Sequence, residues 1–303
     1  MINSNLALSS HLFNVSGSGK TRLSLDGLCS HWGLYISCGT VRGTVSGSDD
    51  FQQAKEMLQT MSTWSTKSPD LSNNTSPAQR IFAMLLCARL FIFKKLVQHF
   101  PVNTKVTDAR RRWVFAQILP PHLCGGGRDL FVEVFRGLQG AETHIMLDII
   151  RSSLGDIRTG RKDLFPMESK TPLFVVIDEA QVFRSGSGTG RPILREMVSF
   201  FESKGFFNRI ILSGTGLSME KVKDAVGSFS AKEAPSNRIF TDVGCFTRDD
   251  SSHETYINRY LNLSKDNISD RRLLERMKYW FFGRYVYYLG PQDSFSSLII
   301  VTA

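Results

Sequence analysis

Apolar positions along this chain fall into two rhythms. Short continuous apolar runs bounded by glycine, serine or asparagine read as buried strands, and apolar residues at three-to-four spacing read as helices packed on one face. Strands are expected near Leu12, over 33–37, over 173–177, over 209–213 and over 237–242. A helix covers about 21–30, with Gly27 inside it at a cost of ~1 kcal/mol relative to alanine. From residue 46 to residue 170 the pattern turns helical. Phe51, Ala54, Met57, Leu58 and Met61 share one face behind Asp49 or Asp50 as a cap. Further helices are predicted over 77–99, 107–118, 128–140 and 141–153. The stretch 68–77 reads as a solvated loop, in which Asn74-Thr75-Ser76 would accept a glycan only in a secreted protein. Pro192 opens a helix that Gly205 ends and that carries Ile193, Leu194, Met197, Val198 and Phe201 on one face. It joins two strands in a right-handed strand-helix-strand unit. Two helices over 250–262 and 268–283 would close the chain as a small bundle.

Strands separated by helices predict an α/β fold with a parallel sheet flanked by helices. The expected organisation is a core over 1–245 that includes a helical insertion over about 46–170, a small helical lid over 246–290 and an irregular tail over 291–303. The tail does not look like a finished lid and is expected to be a truncated or mis-spliced end.

The chemistry is concentrated where the first strand meets its helix. The apolar stretch at 11–15 runs into Ser16-Gly17-Ser18-Gly19-Lys20-Thr21-Arg22. Glycines let several backbone N–H groups converge on one anion, and the start of a helix adds its positive dipole end. A lysine there reaches the β- and γ-phosphates, and the threonine hydroxyl can ligate Mg²⁺. The pattern G-x-x-x-x-G-K-[ST] has Asn14 at its first position in place of glycine; asparagine is the residue that best tolerates the same turn geometry. ATP is therefore expected on residues 16–22, with Mg²⁺ on Thr21. The strand over 173–177 ends in Asp178-Glu179 at the sheet edge where open α/β folds bind ligands. Asp178 would complete the Mg²⁺ shell opposite Thr21, and Glu179 would orient the attacking water. The strand over 209–213 ends in Ser213 and Thr215 at the same edge, where either hydroxyl could sense the γ-phosphate, Ser213 being expected beside Asp178. A second glycine-rich run, 185–190, lacks a lysine and reads as a linker.

These motifs resemble the branch of P-loop ATPases with a catalytic glutamate beside the metal-binding aspartate, which includes the AAA+ and STAND families. More narrowly, HLFNVSGSGKTRLSLDGLC, VVIDEAQVF, RPILREMV and IILSGTGLS resemble the ATPase module of fungal crinkler-like proteins over roughly residues 10 to 285. The resemblance implies a P-loop NTPase core and ATP hydrolysis coupled to a conformational change. It also implies an arginine on the helical lid that reaches back to the γ-phosphate, a role that falls on Arg284. In that type of module the ATPase is typically coupled to a nuclease-like or toxin-like domain, which is not evident in this sequence. A nucleotide-gated interaction module that binds ATP without significant hydrolysis is the alternative.

Composition narrows the partners only a little. The chain has 303 residues with a net charge of +9, which favours polyanions without naming one. Nucleic acid or another protein is a possible partner, and a homo-oligomer is left open. Arg110-Arg111-Arg112-Trp113 could stack on bases, but three adjacent residues point in different directions around a helix, so a buried Trp113 with surface arginines is preferred. Five dispersed cysteines, Cys29, Cys38, Cys87, Cys124 and Cys245, lack zinc spacing and read as reduced core thiols. The most apolar stretch, 81–97, carries Arg89, Lys94 and Lys95, so it reads as a buried helix rather than a membrane span. No signal peptide is recognisable, and an intracellular location, cytoplasmic or nuclear, is expected.

Overall fold

The computed structural model describes residues 8–14, 20–39, 47–65, 70–120, 127–165, 173–180, 190–203, 207, 209–215, 238–240 and 267–281. In chain order the elements are β1 (Leu8–Asn14), α1 (Lys20–Ser30), β2 (Gly33–Ser37) and α2 (Asp50–Thr60), then a 3-10 turn (Asp70–Asn74). The insertion continues with α3 (Thr75–His99), α4 (Val106–Ile118), α5 (Leu130–Gly137) and α6 (Thr143–Gly160). Then come β3 (Phe174–Asp178), α7 (Gly190–Ser203), β4 (Arg209–Thr215), β5 (Arg238–Phe240) and α8 (Ile268–Phe281). The five strands form one parallel sheet in the order β2-β3-β4-β1-β5. The structure is thus mixed α/β with a helix-rich insertion between β2 and β3.

Both faces of the sheet are covered, as a parallel sheet requires. Leu34, Ile36, Val175, Ile177, Ile210 and Leu212 join one large core built mainly by α2, α3, α5, α6 and α7. The alternate positions Tyr35, Phe174, Val176 and Ile211 pack with Leu25, Leu28, Val114 and Ile118 on the opposite face, under α1 and α4. The period-two alternation of the strands therefore sorts side chains between two helical layers. On α7 the predicted face is the buried one, with Ile193, Leu194, Met197, Val198 and Phe201 all in the core.

β2 is an edge strand, and the insertion closes its free edge with side chains. Gln117 Oε1 accepts from the Tyr35 N–H at 2.8 Å, and the Trp113 indole donates to Gly33 O at 2.7 Å. The Arg89 guanidinium donates to Tyr35 O. An exposed row of strand N–H and C=O groups would invite further pairing; these three residues fill it. Arg89 is held by Asp50, with Nε–Oδ2 2.8 Å and Nη2–Oδ1 2.6 Å, both residues fully buried. The Arg161 guanidinium ties down the end of α3 through Val97 O and Phe100 O, supplying donors to carbonyls that a helix terminus leaves unpaired.

Several sequence expectations are corrected. The stretch 68–77 is not a solvated loop throughout: Asn74 ends the 3-10 turn fully buried, and its amide bonds both Ser65 N and Ser65 O. That amide is engaged inside the protein and cannot present a glycan. Asp49 occupies the N-cap of α2 without a side-chain cap bond, while the Asp50 carboxylate accepts the first-turn Phe51 N–H at 2.8 Å as well as pairing with Arg89; the Asp49 and Asp50 N–H groups are taken by Asp129 and Ser48. The helix expected over 128–140 is confined to α5, where Asp129 caps Phe131 N and Val132 N. α6 starts two residues later and runs further than the 141–153 expected, because Ile150, Leu154 and Ile157 continue its buried stripe. The first helix of the expected lid and the tail lie outside the described residues, and α8 corresponds to the helix expected over 268–283.

Candidate functional site

The start of α1 meets the end of β3 at Asp178. β1 stops at Asn14, α1 begins at Lys20, and β3 stops at Asp178. Thr21, in the first turn of α1, donates its hydroxyl to Asp178 Oδ2 at 2.7 Å although the two lie 157 positions apart in sequence. Lys20 is buried beside them: burial holds its ammonium below the usual lysine range, while the negative charges of Asp178 and Glu179 pull it back up. Of the sequence-predicted site, the structure therefore brings Lys20, Thr21, Asp178 and Glu179 together.

The face that carries Asp178 explains its surroundings. Tyr35, Ser37, Asp178 and Ser213 all fall on the strand positions that face α1, at the ends of β2, β3 and β4. Ser37 lies opposite Asp178 in the β2–β3 register, and Ile177 pairs with Leu212, which sets Ser213 beside Asp178 on the other side. Ser213 is completely buried, and its hydroxyl has no hydrogen-bond partner among the described residues; the same holds for the Ser37 and Ser24 hydroxyls. Buried hydroxyls are nearly always paired, which sets these three serines apart from the rest of the described core.

Asp178 itself is almost fully committed. Oδ2 accepts both the Thr21 hydroxyl and the Tyr35 hydroxyl, the latter at 2.8 Å, while Oδ1 accepts the Glu179 N–H at 3.0 Å. Burial and the Asp178 charge push the Tyr35 phenol far above its ordinary range, so it is a fixed donor. The next residue of β2's exit, Cys38, has its thiol raised by burial and by Asp178, and its N–H donates to Asp178 O at 2.9 Å. A buried, protonated thiol of this kind is packing rather than a nucleophile.

Glu179 is bent out of the strand. Its φ of 57° is the only left-handed value at a non-glycine among the described residues. Such a conformation costs on the order of 1–3 kcal/mol and persists where its surroundings impose it. Gly39 makes room for the side chain: a Cβ at Gly39 would sit 3.1 Å from Glu179 Cγ and 3.2 Å from its Cβ.

The remaining predicted residues make other contacts or lie outside the described residues. Arg22 is not brought to the carboxylates; its guanidinium pairs with Asp26 one turn along α1 at 3.3 Å. Ser16, Gly17, Ser18 and Gly19 lie outside the described residues, as does Arg284. Trp113 is buried with its indole on Gly33 O, and Arg110 donates to Ser30 O and lies over the Trp32 ring, so the Arg110–Trp113 run offers no free aromatic face. Among the described residues no cluster of three or more His, Cys, Asp or Glu is placed to hold a metal ion. None of the described helices is long and apolar enough to cross a membrane. Tyr35 and Ser37 were not singled out in the sequence; the readable signal is their period-two placement on the same face as Asp178, once β2 is known to lie beside β3.

Comparison of the chain with protein-family models, with curated proteins and with solved structures finds no match.

Proposed function

We propose that this chain is a P-loop ATPase of the AAA+/STAND-like type, which binds ATP with Mg²⁺ at the ends of β1, β3 and β4 and hydrolyses it to drive a conformational change. The observation that carries the reading is the 2.7 Å bond from Thr21 to Asp178, which joins the glycine-rich loop's terminal threonine to the acidic strand. An ion bound there would meet the Thr21 hydroxyl and Asp178 Oδ1, and would neutralise charge on the phosphates. Lys20, buried beside two carboxylates, is suited to pair with the β- and γ-phosphates. Glu179, held in a left-handed backbone conformation directly after Asp178, is suited to orient water. Ser213 would give its unpaired hydroxyl to the terminal phosphate, and Arg284, on the expected lid, would approach the same oxygens.

The test is ATP·Mg²⁺ affinity and turnover of the purified chain. Lys20→Ala in a folded protein should abolish binding, and unchanged affinity would end the reading. Glu179→Gln should keep ATP bound and cut turnover by roughly 10²-fold, the scale of losing a positioned base. Tight binding with no turnover in the unmodified chain would instead assign it to the nucleotide-gated modules that do not hydrolyse.

A further inference from the structure

We propose that Tyr35 is the positioning residue of the metal-binding carboxylate, an inference that rests on the ATPase reading above. A carboxylate has about four lone-pair positions. In Asp178, Oδ2 receives the Thr21 and Tyr35 hydroxyls and Oδ1 receives the Glu179 N–H, which leaves one acceptor position, on Oδ1, for Mg²⁺ or a water bound to it.

Tyr35 is unusually constrained for a residue with this task. Its N–H is held by Gln117, its carbonyl by Arg89, and its ring is buried with Leu28, Val114 and Val176. The hydroxyl therefore cannot follow Asp178 if the carboxylate rotates; the carboxylate must stay where the hydroxyl is. Thr21 is not suited to this task alone, because its own oxygen is the other expected ion ligand. Tyr35 reaches Oδ2 from β2, a different element from the helix that carries Thr21, and its N–H and carbonyl are anchored by Gln117 and Arg89 rather than by residues of the candidate nucleotide site. Gln117 and Arg89 belong to the helical insertion, so the insertion fixes the residue that fixes the metal ligand.

The experiment compares Tyr35→Phe with the unmodified chain and with Val176→Ala, which loosens packing beside the ring and keeps the hydroxyl. Turnover is measured against free Mg²⁺ at saturating ATP, together with ATP binding in EDTA and melting temperature. Tyr35→Phe should raise the Mg²⁺ concentration for half-maximal turnover roughly 5–20-fold, a share of what a charge-assisted hydrogen bond contributes. Its Mg²⁺-free ATP binding and its turnover at saturating Mg²⁺ should stay within about twofold, since phosphate contacts and the water-orienting glutamate are untouched. Val176→Ala should lower the melting temperature without moving the Mg²⁺ midpoint. An unshifted midpoint in Tyr35→Phe, or the same shift in Val176→Ala, overturns the positioning role while leaving the ATPase reading intact. Failure of the unmodified chain to bind ATP with Mg²⁺ overturns both.

Discussion

Replacing Ser213 by alanine should make the empty protein more stable and the nucleotide-bound protein less so. The hydroxyl of Ser213 is buried beside Asp178 without a partner among the described residues. Leaving such a group unsatisfied costs about 1–3 kcal/mol, part of which alanine recovers. A gain of ~1 kcal/mol raises the midpoint by about 2 °C for a chain of this size. With ATP and Mg²⁺ the sign reverses, because a hydroxyl donated to a phosphate oxygen is a charge-assisted bond worth about 1.5–3 kcal/mol, or at least roughly tenfold in affinity. At a ligand concentration of about 100 times the dissociation constant, binding stabilises the unmodified protein by about 2.7 kcal/mol; a tenfold weaker variant at the same concentration gains only about 1.4 kcal/mol. Scanning calorimetry with and without a non-hydrolysable ATP analogue, and in parallel with ADP, reads all of these. The expected pattern is a higher midpoint without nucleotide, about half the analogue-induced rise and an unchanged ADP-induced rise. A lower midpoint without nucleotide together with an unchanged analogue response would refute the assignment, since Ser213 would then be a satisfied core hydroxyl.

Two further substitutions test the supporting structure. Gly39→Ala should retain ATP binding and slow turnover by roughly 3–10-fold, because its Cβ would meet Glu179 at 3.1–3.2 Å and displace that side chain by a few tenths of an ångström, where a full 1 Å costs about 10²-fold; unaltered turnover would show that the orientation of Glu179 is unimportant. Arg89→Met should destabilise the fold by about 3–5 kcal/mol in urea denaturation by leaving the Asp50 carboxylate buried and unpaired, and Asp50→Asn in the same chain should restore part of that loss; a loss below about 1 kcal/mol would mean that the pair contributes little.

Legibility in the sequence followed the range of the interaction that decides each feature. β2 was readable to the residue because glycine opens its apolar run and a polar serine closes it. The buried face of α7 was readable because three-to-four spacing is a local property. Lys20, Thr21, Asp178 and Glu179 were readable as a set because their residue types and order along the chain follow a phosphate-loop and acidic-strand pattern. Arg89 was read only as a charge unsuited to a membrane, since nothing local shows that Asp50, 39 positions earlier, pairs with it. Tyr35 looked like one more apolar strand position, because its role depends on β2 lying beside β3 rather than beside β1. Asn74 sits in a segment of turn-forming residues and was read as exposed; its burial depends on a pairing with Ser65 that no periodicity encodes.

The strand order has a consequence for how this molecule is made. β1 lies between β4 and β5, and Leu8 pairs with Arg209, so the strand that leads into the phosphate loop has no partner until about two hundred further residues have been synthesised. At about 5–20 residues per second, that interval is on the order of 10–40 s. Arg89, Trp113 and Gln117 emerge well within it and can cover the edge of β2 before β3 exists, whereas both edges of β1 remain open until β4 is released. The nascent chain can therefore build its helical insertion before β1 is paired, and the ends of β1, β3 and β4 are among the last parts to come together.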